Sequence, residues 1–203
     1  MARAPSLGGV ILAAGESSRM GRDKALLPWQ GKTFLTAAID SLRMSTDFVL
    51  VVAGKNAEIL HPVVDAAGAF LVVNKRPELG QFSSLQVGVQ EVLNRGRDAA
   101  MVTLVDRPAL SYESIAKLRA AFEDAVDLGK WAVVPEYEGK HGHPIVIGRE
   151  LMSAFLMAPP TSNARDIEHA HLERIHYFPL NDPLAVANVD TPEDYQRITA
   201  KAT

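Results

Sequence analysis

The sequence contains no cysteine. That excludes disulfides, thiolate metal sites and a cysteine nucleophile, and it fits the expectation of a cytoplasmic protein. Basic excess is also missing: 21 Lys and Arg stand against 24 Asp and Glu, for a formal net charge of -3. A sequence-independent nucleic-acid binder needs a basic surface, so no nucleic-acid partner is expected. No apolar run approaches the roughly 18 residues of a membrane span, so no membrane partner is expected either. Arg3 followed by residues 7–14 has a faint signal-peptide look. The stretch is short, holds Gly8 and Gly9, and runs directly into Gly15-Glu16-Ser17-Ser18-Arg19, so it reads as a first strand. Repeats and low-complexity linkers are absent as well.

What is present is enough apolar material for a core: 47% hydrophobic against 22% charged over 203 residues. Short β-rich runs at 9–13, 48–53, 70–74, 100–104 and 132–135 alternate with amphipathic helical patterns at 34–44, 57–67, 84–94 and 112–128. This alternation predicts an α/β fold with a mainly parallel central sheet flanked by helices. Ligands in such sheets bind at the carboxyl ends of the strands. Beyond Pro135 the rhythm changes. A turn is expected at 138–142, short strands at 144–147 and 175–178, and helices at 149–157 and 164–171. Thr191-Pro192-Glu193-Asp194 then opens a last helix with a cap, a proline at the first helical position and acids at the positive end.

The densest signal follows the first strand: Leu12-Ala13-Ala14-Gly15-Glu16-Ser17-Ser18-Arg19-Met20-Gly21-Arg22-Asp23-Lys24, then Leu26-Leu27-Pro28. Gly15 and Gly21 free the backbone to approach a polyphosphate, Ser17 and Ser18 add donors, and Arg19 and Lys24 bring positive charge. The spacing fits neither the Walker loop nor G-x-G-x-x-G. Asp106 follows the apolar run 101–105 and precedes Pro108, while Asp190 lies just ahead of the last helix. Each has a plain alternative reading, as a turn residue and as a helix cap. Together, at strand ends, they suit a hard divalent cation, because Mg²⁺ takes one or two carboxylates and completes its shell with phosphate and water. Ser83 and Ser84 open a helix as polar ligand groups or as caps, and Asn74 at a strand end is equally open. His141 and His143 make a poor metal pair. Trp29 and Trp131 read as packing residues.

The thirteen-residue loop with Leu26-Leu27 resembles the nucleotidyltransferases that activate molybdopterin, within the nucleotide-diphospho-sugar transferase superfamily. The resemblance continues through Asn74, Gly80, Ser83-Ser84, Asp106-x-Pro108, Gly142-His143-Pro144 and Asp190-Thr191-Pro192-Glu193-Asp194, and so covers most of the chain. It implies one nucleotidyltransferase domain over 1–203, with an NTP-binding part at 1–135, an acceptor-side lobe at 136–185, and a metal-ligand strand end and helix at 186–203. It implies that Leu12, Ala13, Ala14, Gly15, Ser17, Ser18, Arg19, Gly21, Lys24, Asn74, Ser83 and Ser84 meet the nucleotide. Lys24, Arg19 and Asp106 are the implied catalytic residues, and Asp106 and Asp190 the ligands of Mg²⁺, with Mn²⁺ as a substitute. His143 and Arg165 are implied on the acceptor side. The cytidylyl branch tends to carry Leu-Ala-Ala-Gly, as here, so Ala14 favours CTP. The chain departs from the family at Pro160-Thr161-Ser162-Asn163-Ala164-Arg165, where only Ala164-Arg165 matches the usual Gly-Asp-x-Gly-Ala-Arg, and at Arg107, where Gln or Met is common.

The implied reaction is an in-line displacement in which an acceptor phosphate oxygen attacks the α-phosphorus of the NTP and pyrophosphate leaves. CTP and a molybdopterin-type cofactor are the first-choice substrates, and a molybdoenzyme that receives the product is a further implied partner. Two rivals remain. One changes substrates, to GTP or to a sugar or polyol phosphate. The other is a non-catalytic nucleotide-binding cofactor chaperone, against which the joint presence of Lys24, Asp106 and Asp190 speaks.

Overall fold

A computed structural model describes residues 4–15 and 23–201. β1 (Leu7–Leu12) is followed by a hairpin, β2 (Pro28–Trp29) and β3 (Lys32–Thr33), which leads into α1 (Phe34–Arg43). Then come β4 (Phe48–Ala53), α2 (Ala57–Ala66), β5 (Phe70–Val73), α3 (Gln81–Asn94), β6 (Ala99–Leu104) and α4 (Tyr112–Asp127). The remaining elements are β7 (Ala132–Tyr137), β8 (Lys140–His141), β9 (Ile145–Gly148), α5 (Arg149–Met157), α6 (Ala164–Ala170), β10 (Ile175–Pro179) and α7 (Pro192–Lys201).

The main sheet runs β10-β7-β9-β6-β1-β4-β5, with β8 paired to β7. β5, β4, β1 and β6 run parallel to one another, as do β7 and β10. β9 inserts antiparallel between β6 and β7. The expected mainly parallel sheet flanked by helices is thus present. β1 is buried along its whole length, as a central parallel strand covered on both faces must be. Leu7 and Ile11 face a core built with α1 and α4, while Val10 and Leu12 face a second core built with α3 and α5. Gly88 inside α3 explains how closely that helix approaches. A Cβ there would come within 2.6 Å of Val10 Cγ1, which outweighs the roughly 1 kcal/mol that glycine costs in a helix.

The hairpin was not foreseen. Gln30 and Gly31 both have positive φ, 48° and 77°, the twist that a two-residue hairpin needs. Gln-Gly is a weaker signal for it than Asn-Gly. Its Trp29 is buried, with its ring 5.3 Å from that of Phe34. Both pack with Val189 and with Ile198 of α7. The hairpin therefore anchors the C-terminal segment that carries Asp190.

Candidate active site

The chain goes from β1 outward through β4 to β5, then returns to place β6 on the other flank of β1. This reversal opens a crevice beyond the carboxyl ends of β1 and β6, where ligands of open α/β sheets bind. A cleft of about 430 Å³ lies there, and its lining includes Leu12, Ala14, Gly15, Lys24, Ser84 and Asp106. Ser17, Ser18, Arg19 and Gly21 lie outside the described residues.

Both ends of the loop are tied down. Asn56, just past the end of β4, donates from Nδ2 to the Ala13 carbonyl at 2.9 Å and to Asp23 Oδ2 at 2.6 Å. Asp23 in turn caps the 3-10 turn Lys24–Leu26, accepting from the Ala25 N–H at 2.9 Å. Lys24 is thereby aimed inward, and its ammonium donates to Asp190 Oδ1 at 3.0 Å and to Asp106 Oδ2 at 3.4 Å. Two carboxylates 84 positions apart thus meet at one cation. The meeting has a backbone cause: the Val189 N–H donates to the Asp106 carbonyl at 3.0 Å. Asn188 Nδ2 donates to Asp190 Oδ2 as well.

Asp106 Oδ1 is buried and has no hydrogen-bond partner among the described residues. A buried acceptor left unpaired costs about 1–3 kcal/mol, so such an atom calls for an explanation. A divalent cation supplies one. The donor set is oxygen only, and two carboxylates with room for phosphates and water suit Mg²⁺ or Mn²⁺. Among the described residues no group of three or more His, Cys, Asp and Glu is placed to hold a metal.

The other predicted residues divide. Ser84 lines the cleft, while Asn74 and Ser83 line a neighbouring groove on the far side. Asn74 Nδ2 donates to Ser83 Oγ at 2.8 Å and to Ser84 Oγ at 3.0 Å, and all three residues are buried. The trio fastens the start of α3 to the end of β5. Ala13 is buried behind the cleft. His143 sits beneath β6: its N–H donates to the Ala185 carbonyl at 2.9 Å, and its Nδ1 lies 3.4 Å from the Val102 carbonyl. Burial, with Arg107 nearby, holds its pKa down to about 4, so the imidazole is neutral. At the neighbouring Gly142 any Cβ would strike the Ala185 carbonyl, which gives a packing reason for Gly-His-Pro. Arg165 is exposed at the start of α6. The residues just before it, Ser162, Asn163 and Ala164, line a cleft of about 280 Å³ together with Leu12 and Gln81. Leu12 and Gln81 also line the first cleft, so the two clefts adjoin. Further along α6, burial pushes Glu168 up to about 7 against the pull of Arg165.

Reading the sequence missed Asn56, and also Pro77, Glu78 and Gln81 in the cleft lining. Asn56 had a signal, since it follows a predicted strand at the sheet edge where ligands bind. Gln81 had one too, because it opens a helix directly after Gly80.

A parallel sheet with its ligand crevice at the β1–β6 reversal, a glycine-bearing loop after β1, and a lysine facing paired aspartates define a nucleotidyltransferase. The chain belongs to the MobA-like NTP transferase domain family, which it matches over residues 9–175. It is 27% identical over 194 residues to the molybdenum cofactor cytidylyltransferase of Escherichia coli K12, covering 95% of this chain and 94% of that one. It is 36% identical over 127 residues to a probable molybdenum cofactor guanylyltransferase of Rhodopirellula baltica, covering 60% and 58%. Among solved structures, Rv0371c of Mycobacterium tuberculosis H37Rv superposes with a TM-score of 0.79 at 22% identity, over 96% of this chain and 98% of that one. Rv0371C has also been solved as a complex with manganese, which superposes with a TM-score of 0.69 at 22% identity, over 95% and 97%. No helix among the described residues is long and apolar enough to cross a membrane.

Proposed function

We propose that this nucleotidyltransferase moves CMP from CTP onto the terminal phosphate of a molybdopterin-type cofactor. The observation that carries the reading is the convergence of Asp106 and Asp190 on the ammonium of Lys24, which lines the cleft together with Asp106. In the displacement, an acceptor phosphate oxygen forms a bond to the α-phosphorus. The bond from that phosphorus to the β-phosphate oxygen breaks, and pyrophosphate leaves with the electron pair. A phosphate nucleophile is already ionised and needs no general base, so the protein's task is positioning and charge neutralisation.

Asp106 and Asp190 would hold Mg²⁺, with Mn²⁺ as a substitute, and the ion supplies charge neutralisation for the triphosphate. Lys24 and Arg19 take the phosphates, and Gly15 and Gly21 let the backbone approach them. Ser84, Leu12 and Ala14 face the nucleoside. Asn74 and Ser83 act from behind by fixing Ser84, and Ala13 backs the pocket. The adjoining cleft before Arg165 receives the acceptor, and His143, which does not line that cleft, supports the strand edge beside it through Val102 and Ala185.

CTP is favoured because Ala14 lines the cleft, where a side chain larger than glycine's would leave less room for a purine. GTP is the second reading, favoured by the guanylyltransferase name of a 36% identical relative. Pyrophosphate release, measured with each of the common NTPs against molybdopterin and simple sugar phosphates, tests both. The reading expects release with CTP and molybdopterin. Faster release with GTP would replace the nucleotide, and release only with a sugar phosphate would replace the acceptor.

A further inference from the structure

Asp106 and Arg107 are consecutive, yet they serve opposite sides of the sheet edge. Asp106 lines the nucleotide cleft, whereas Arg107 lines a small recess behind it with Ala38, Ser41, Leu110 and Pro144. Arg107 therefore faces away from the substrate. Its Nη1 donates to the Ala187 carbonyl at 3.0 Å. Two residues later the Val189 N–H donates to the Asp106 carbonyl at 3.0 Å. These two bonds clamp residues 187–189 against the turn after β6, and Asp190 is the next residue. Asn188, between the two clamped positions, donates to the Asp190 carboxylate. The guanidinium is half-buried.

We infer that Arg107 is the positioning residue of the metal site, holding residues 187–190 through Ala187 so that Asp190 faces Asp106. The inference rests on the reading that the two aspartates share one divalent cation. Arg107 acts on that cation in two opposed ways. Its positive charge repels the ion, while its tether delivers a ligand to it. The side chain lines the recess behind the cleft and bonds to the backbone three residues before Asp190, so the tether dominates.

The sign of the change in metal affinity tells the two apart. Mn²⁺ binding without nucleotide, followed by electron paramagnetic resonance of the free ion, is measured for the wild type, Arg107→Met, Asp106→Asn, Asp190→Asn and the variant combining Arg107→Met with Asp190→Asn. Arg107→Met should weaken Mn²⁺ binding about tenfold, as loss of a residue that orients a metal ligand does. In the Asp190→Asn background the same change should have almost no further effect, because the ligand it positions is gone. Unchanged or tighter binding in Arg107→Met, or a full further loss in the double variant, overturns the inference. If Arg107→Met does not fold, Arg107→Gln takes its place in the same cycle. Wild-type Mn²⁺ binding that is indifferent to Asp106→Asn and Asp190→Asn would instead overturn the metal reading itself.

Discussion

The two sides of the sheet hold their polar groups differently. Around the β1–β6 crevice, polar side chains are bonded across long gaps in the chain: Asn56 to Asp23, Lys24 to Asp106 and Asp190, and Arg107 to the Ala187 carbonyl. On the β7–β10 side Arg165 is exposed, and the Glu168 carboxyl has no hydrogen bond or ion pair among the described residues. The first arrangement suits a ligand whose charges recur in fixed positions, a triphosphate with its metal. Preorganised groups need no rearrangement as charge shifts toward the transition state. The second leaves its charged groups for the ligand to pair, and it coincides with the stretch where the chain departs from the family pattern.

The aspartates give the largest test of this contrast. Asp106→Asn and Asp190→Asn should each lower turnover at least about a hundredfold, roughly 2.7 kcal/mol of barrier. The double variant should be little worse than either single one, since residues acting as a unit are not additive. Additive losses in steady-state pyrophosphate release would mean that the carboxylates work separately.

Lys24 comes next, and it sharpens the comparison because two readouts should move in opposite directions. Lys24→Ala should slow turnover at least about tenfold, near 1.4 kcal/mol. The ammonium between the carboxylates also competes with the metal, so Mn²⁺ binding without nucleotide should tighten. A rate equal to wild type in the folded variant removes Lys24 from the mechanism.

Smaller effects separate the two sides. Asn56→Ala loosens both ends of the loop and should raise KM for the nucleotide about threefold to tenfold, the size of one ordinary net hydrogen bond of about 0.5–1.5 kcal/mol. Arg165→Ala should raise KM for the acceptor by a similar factor and leave nucleotide affinity alone. If Arg165→Ala changed nucleotide affinity instead, the division into two sides would fail.

The smallest effect is on stability against pH, where the two sides have opposite signs. Folded Glu168 keeps its proton up to about 7, against 4.5 for the free group. The folded chain carries the extra proton in that window, so the contribution is full below 4.5 and is lost as pH rises toward 7. His143 works the other way, since it titrates at about 4 when folded and 6.5 when free. Its neutral burial costs stability as pH falls from 6.5 toward 4. Glu168→Gln should therefore flatten the neutral limb by something on the order of 1 kcal/mol, discounted for partial exposure, and leave the acid limb as it was. Urea denaturation across that range checks it, and a neutral limb unchanged from wild type counts against the burial of Glu168.

Much of this was legible in the sequence because it is local. Strand–helix alternation placed β1, β4, β5, β6 and β7 close to their observed bounds, and the rule for carboxyl ends of strands singled out the loop and Asp106. What pairs across the chain was not legible. The 144–147 strand was foreseen, but nothing in its residues says that β9 runs antiparallel between β6 and β7. Arg107 looked like a departure from a family pattern, and its bond to Ala187 depends on a fold that brings position 187 beside position 107. Ser83 and Ser84 read as ligand groups or caps and Asn74 as equally open, and only the packing of α3 on β5 shows that the three bond to each other and that, among them, Ser84 lines the cleft.

The central claim is that Asp106 and Asp190 share one divalent cation beneath the triphosphate. Anomalous scattering from a crystal grown with Mn²⁺ and CTP tests it directly. The account predicts a single manganese peak bound by both carboxylates at about 2.1–2.2 Å, with Lys24 displaced onto the phosphates. A manganese bound by only one of the two, or carboxylates more than about 10 Å apart around a bound nucleotide, would contradict it.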